Sequence, residues 1–175
     1  MSTPKLCWGK KVSPAFRAEV IKLASDLGCN VNYLMACMAF ESGRTFRPDV
    51  RNAAGSGATG LIQFMPSTAQ ALGTSTDALA KMSAVKQLEW VGLYFWNRRG
   101  KLKTLSDMYM AILWPAAVGK SEDYVLFDKA DAKHPKRYIQ NAGLDWNKDG
   151  KITKGEATRK VYKVFEEGMR EENVA

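Results

Sequence analysis

The chain has 175 residues, 46% of them hydrophobic and 25% charged, with 26 Lys and Arg against 18 Asp and Glu for a formal net charge of +8. This balance fits one globular unit with a real core, and no linker or repeat divides it. Three cysteines, an odd number, make no disulfide framework, and a single histidine excludes a zinc amidase, which needs several His or Cys ligands.

Residues 1–12 are polar and basic and lack the apolar core of a secretory signal, and no stretch of the chain is long enough to span a membrane. Ser13-Pro14 opens a helix whose apolar positions Phe16, Val20, Leu23 and Leu27 recur at helical spacing before Gly28 stops it. The run from Val31 to Phe40 is too long and too uniformly apolar for a half-exposed strand and predicts a buried helix with Glu41 in its last turn. A carboxylate there faces the negative end of the helix dipole, and its apolar neighbours withdraw solvation. Both effects favour the protonated form, so Glu41 is a candidate proton donor near neutral pH. From position alone, a solvated glutamate at a helix end is an equal alternative.

Asp49 lies eight positions later between Arg47-Pro48 and Val50-Arg51, which read as an exposed turn whose two arginines hold it ionised as a surface charge pair. One short hairpin is expected in the Gly-rich stretch of residues 52–62. Pro66 suits the first turn of a helix and Gly73 its end, which places Gln63 on the entering loop, able to reach across a cleft towards Glu41. A further helix is predicted from about Ser83 to Arg98, with Val85, Leu88, Val91 or Gly92, and Phe95 inward. Trp90, Tyr94 and Trp96 are distributed around it, mostly for packing. Lys10, Lys11, Lys101 and Lys103 read as a solvated face, His134 as a loop residue, and Cys37 as a small hydrophobe within the apolar helix. With no run of alternating strands, the chain is mainly α.

The segment Asp145-Trp146-Asn147-Lys148-Asp149-Gly150-Lys151-Ile152-Thr153-Lys154-Gly155-Glu156 fits the twelve-residue EF-hand calcium loop at every diagnostic position. Oxygen ligands would come from Asp145, Asn147, Asp149, the Lys151 carbonyl, Thr153 directly or through water, and bidentate Glu156, with Gly150 permitting the sharp turn. A polar turn without metal is the alternative. Ala157, Val161, Val164, Phe165 and Met169 follow at helical spacing, so the exiting helix packs on the body. A lone loop of this kind points to a structural Ca2+ clamp, since sensors usually pair two.

Phe40-Glu41-Ser42-Gly43, followed by Gly60-Leu61-Ile62-Gln63-Phe64-Met65-Pro66-Ser67-Thr68-Ala69, resembles the goose-type lysozyme and soluble lytic transglycosylase (SLT) family, most strongly from about residue 32 to residue 71. The resemblance implies a mainly α, lysozyme-like single globular domain over residues 1–175. It also implies Glu41 as the sole catalytic acid/base, with Ser42, Gln63 and Met65 among the substrate-binding residues. A third family motif, A-Y-N-A-G, has its counterpart in Met108-Tyr109-Met110-Ala111-Ile112, which keeps the tyrosine but loses the Asn and Gly, so Tyr109 is carried over as a site tyrosine. Tyr138, rather than Tyr124, is the candidate for a late family tyrosine that lines the site. Ala54 stands where many relatives place a serine, with Ser56 or Thr59 as substitutes.

The activity so implied is cleavage of the β-1,4 bond between N-acetylmuramic acid and N-acetylglucosamine in bacterial peptidoglycan, without a catalytic cofactor. A lytic transglycosylase outcome, with 1,6-anhydromuramic ends, is favoured over hydrolysis by a lysozyme of the same fold, because a hydrolase needs a second acid to place water. A non-catalytic wall-binding virion component is the other alternative. The positive charge suits an anionic cell-envelope surface, while the scattered basic residues carry no nucleic-acid-binding signature. The expected setting is a phage lysin, monomeric, made in the host cytoplasm without a signal peptide and acting on the wall in the periplasm, or carried by the virion.

Overall fold

The computed structural model describes residues 5–175, so the first four residues of the basic N-terminal stretch lie outside it. The chain forms α1 (Pro14–Leu27), α2 (Val31–Glu41), α3 (Pro66–Leu72), α4 (Thr76–Lys81), α5 (Ala84–Phe95), α6 (Leu105–Leu113), β1 (Val125–Asp128), α7 (Pro135–Asn141), β2 (Lys151–Thr153) and α8 (Lys154–Gly168). Local chemistry sets most of these boundaries. The Ser13 hydroxyl accepts from the Phe16 N–H with Pro14 at the first helical position, and Gly28 ends α1 at φ 65°. Asn30, Ser75, Ser83, Thr104 and Thr153 cap α2, α4, α5, α6 and α8 in the same side-chain fashion.

Six consecutive α2 side chains, Leu34 to Ala39, are buried. A helix apolar on every face must be covered on every face, and α1, α6 and α8 pack against it. Trp8 closes one end of this core, its Nε1 donating to the Val164 carbonyl at 3.0 Å. It lies so close to Gly168 that a Cβ there would sit 2.3 Å from the indole ring.

The sheet falls outside the region expected for it. Residues 51–64 make isolated bridges, Arg51 with Thr59 and Thr59 with Phe64, and no named strand. The two-stranded sheet is β1 against β2, antiparallel, with Asp128 opposite Lys151 and Phe127 opposite Ile152. The helix expected over 83–98 is α-helical to Phe95 and tightens to a 3₁₀ turn at Trp96–Arg98.

Two buried polar groups join distant segments. Gln87 receives the Leu61 N–H at 2.8 Å and donates to the Pro48 and Leu79 carbonyls at 2.9 Å each, pinning the loop that carries Gln63. Lys154, 1% exposed, lies 2.5 Å from Asp107 Oδ1 and donates to the Lys120 carbonyl at 2.7 Å. Burial disfavours the Asp107 charge, but the bonds from Lys154 and the Gly119 N–H outweigh it and hold its carboxyl below the usual range.

The pair fastens the start of α8 to α6. Lys154→Met is expected to cost about 3–5 kcal/mol, because it strands a buried carboxylate. The double variant Lys154→Met/Asp107→Leu should recover much of that loss in urea unfolding; additive losses would show that the pair is not coupled.

Candidate active site and metal loop

Glu41 is the last residue of α2, half-buried between half-buried Phe40 and buried Ser42. Among the described residues no hydrogen bond or ion pair holds its carboxyl, and burial alone pushes its pKa from 4.5 up to about 7. Two tyrosines surround it. Tyr109 on α6 packs edge-on against Phe40 at 5.6 Å, and Tyr94 on α5 packs edge-on against Phe64 at 6.1 Å while donating to the Ala111 carbonyl at 2.7 Å. Burial raises both phenols, and the negative charge of Glu41 adds to the rise in each. Tyr94 was legible only as a packing aromatic, since its helical spacing carries no signal of the site.

The chain leaves Glu41 through strained backbone, with Gly43, Arg44 and Phe46 all at positive φ (63°, 69° and 52°). Non-glycine residues are held there at a cost that clusters at functional sites. Ser42 builds this exit. It is 1% exposed, its hydroxyl donating to the Met38 carbonyl at 2.7 Å and accepting the Phe46 N–H at 3.0 Å. Ser42, expected to bind substrate, has its hydroxyl engaged on both sides of this turn. Arg44 then forks onto Glu167 of α8, with contacts of 3.1, 3.1 and 2.7 Å.

Gln63, at φ 56°, donates its amide to the Val50 and Gly60 carbonyls at 3.1 Å each. Its amide oxygen makes no protein hydrogen bond among the described residues. Met65, 46% exposed, caps the start of α3. Thr59 is fully buried, its hydroxyl donating to the Gly57 carbonyl and receiving Arg51, so of the two suggested serine substitutes only Ser56 stays on the surface. Asp49 is the exposed pair expected, gripped at 3.0 Å by both arms of Arg47, whose hydrogen bonds hold its carboxyl below the ordinary range. The second arginine does not join it, because Arg51 turns to Asp77 at 2.8 Å.

The Tyr138 hydroxyl donates to Asp145 Oδ2 at 2.6 Å, which ties it to the acidic loop. Oxygens of Asp145, Asp149 and Glu156 lie within 4.8 Å of one another, a cluster that could hold a metal ion. Asp145 is 5% exposed, and its Oδ1 is buried without a hydrogen-bond partner. Backbone N–H groups occupy other oxygens, Gly150 on Asp145 Oδ2 at 3.0 Å, Lys151 on Asp149 Oδ1 at 2.9 Å and Trp146 on Glu156 Oε2 at 3.0 Å. Asn147 Oδ1 receives the Asp149 N–H, and Thr153 forms a capping box with Glu156. The three thiols are free, and burial raises all of them, which disfavours a cysteine nucleophile.

Residues 19–88 match the family model described as the transglycosylase SLT domain. That segment holds Glu41, Ser42, Gln63 and Met65, whereas Tyr109 and the acidic loop lie outside it. No curated protein matches the chain.

Because burial raises the Glu41 pKa above its unfolded value, its ionisation costs stability. The penalty is absent below about pH 4.5 and complete above about pH 7. Glu41→Gln should therefore be more stable than wild type at pH 8, by on the order of 2–3 kcal/mol, with the gain vanishing towards pH 4.5. Thermal melts across that range test this, and a gain independent of pH would mean that the carboxyl is not desolvated.

Proposed function

We propose that the protein is a peptidoglycan lytic transglycosylase with Glu41 as its only acid/base. The observation that carries this reading is a carboxyl without a counter-ion, raised to about 7 by burial, inside the segment that matches the SLT domain. A group so placed is protonated often enough at neutral pH to donate and ionised often enough to accept.

In the proposed reaction, Glu41 gives its proton to the glycosidic oxygen as the bond from muramic C1 breaks, releasing the N-acetylglucosamine hydroxyl. Its carboxylate then takes the proton of the muramic C6 hydroxyl while that oxygen bonds to C1, closing the 1,6-anhydro ring and restoring the acid. No water is consumed. A hydrolase would need a second carboxylate to position water; Asp49, the nearest such acid in sequence, is committed to Arg47 at the surface, and no other carboxylate contributes to the Glu41 shift. Gln63 and Met65 are assigned to the sugar groove, and Tyr109 to the wall beside Glu41. The setting proposed, from the resemblance and the small size, is phage-mediated lysis.

Muropeptides released from purified sacculi test the chemistry by mass spectrometry. Products ending in 1,6-anhydromuramic acid are expected from wild type and absent with Glu41→Gln, with the wild-type rate falling as pH rises past about 7. Reducing ends heavier by one water would mean a hydrolase, and no products at all would favour a wall-binding protein.

The acidic loop is proposed as a structural Ca2+ site using Asp145, Asn147, Asp149, the Lys151 carbonyl, Thr153 and Glu156. The donors are all oxygens, as a hard cation requires, and the unpartnered buried Asp145 Oδ1 is the oxygen a cation would satisfy. Calcium at about a hundredfold above its Kd should stabilise the fold by roughly 2.7 kcal/mol. Asp145→Ala should remove this calcium-dependent rise in Tm, and a persistent response would sink the assignment.

A further inference from the structure

From Trp90 to Ser106 the chain carries no acid and four cations, Arg98, Arg99, Lys101 and Lys103. None of the four takes part in an ion pair among the described residues. Beside them stand two large apolar side chains exposed at the end of α5, Leu93 at 52% and Trp96 at 45%. They are one helical turn apart and so share a face. The Arg99 guanidinium lies 4.4 Å from the Trp96 ring centroid and donates to the Trp96 carbonyl at 3.0 Å, joining charge and apolar surface in one unit. The acid one turn back, Glu89, is paired with Lys86 at 2.9 Å.

The strip is held in place. The Gly100 N–H donates to the Leu27 carbonyl at 2.9 Å, and Leu102 is buried, which leaves Lys101 and Lys103 on either side pointing outward and exposed. Those two lysines, with Lys120, also line the rim of an open cavity of about 540 Å³ whose wall carries Asp107, neutralised by Lys154, and Glu122. We propose that residues 93–103 form a docking surface for an anionic phospholipid bilayer, with Trp96 and Leu93 entering the headgroup layer and the four cations lying on lipid phosphates. Charge complementarity selects this occupant. A neutral apolar partner would leave four unpaired cations at the rim, whereas aromatic rings at the headgroup level and cations over acidic lipid each favour the membrane interface.

The proposal does not rest on the role of Glu41. Co-sedimentation of the full chain with phosphatidylcholine vesicles, with and without phosphatidylglycerol, tests it. Binding is expected only with the acidic lipid and should fall with added salt. Lys101→Gln/Lys103→Gln should weaken it by roughly five-fold per cation removed, and Trp96→Ser should weaken it further. The equally charge-altered Lys133→Gln/Lys136→Gln should bind like wild type. Equal loss in both double variants, equal binding to neutral vesicles, or no vesicle binding at all would overturn the proposal. Muropeptide release from lipid-free sacculi by the Lys101/Lys103 variant should match wild type, so a failure of the catalytic reading and a failure of this one are told apart.

Discussion

Complete enclosure of α2 is the constraint from which the rest of the site follows. With six successive side chains buried, the middle of the helix has no solvated face, and only its two ends are partly exposed. The carboxyl that terminates it therefore sits where solvent is scarce, which is what lifts its pKa. Enclosure also demands cover from three directions, and the covering helices supply the neighbours of Glu41: α6 brings Tyr109, while α8 brings Glu167 to the Arg44 of the strained exit. Core packing and proton chemistry are here one requirement.

The left-handed residues after Glu41 fit the same picture. Here Ser42 ties the exit on both sides, to the preceding turn through Met38 and to the following one through Phe46, and Phe46 is buried against Phe16. The strain is balanced by that burial.

Much of this was legible from the residues alone, and what was not has a common cause. The limits of α1 and α2, the Arg47–Asp49 pair and the acidic loop depend on near neighbours in sequence, a range that spacing and capping rules describe, whereas Glu41 was set apart from a solvated helix end only by the motif at residues 60–69. Gln87 bonds to Leu61 and Lys154 to Asp107 across 26 and 47 positions, and nothing in their own flanks marks the partner. Ser42 illustrates the limit differently. The motif singled it out, but motif membership does not tell a side chain that touches sugar from one that builds the turn beside it. The four-residue β1 is too short to alternate visibly and exists because β2 offers it an edge.

The span of sequence similarity and the unit that can fold are different lengths of chain. Residues 19–88 contain Glu41 and the loop that carries Gln63, yet two of the three helices that wall in α2 are α6 and α8, both beyond that span. The acidic loop is no detachable appendage either, because Ile152 and Lys154 within it and Ala157 just after it are buried. Excised at the limits of the match, the segment would present a bare apolar helix to water, so the matching segment needs the shell that the rest of this chain provides.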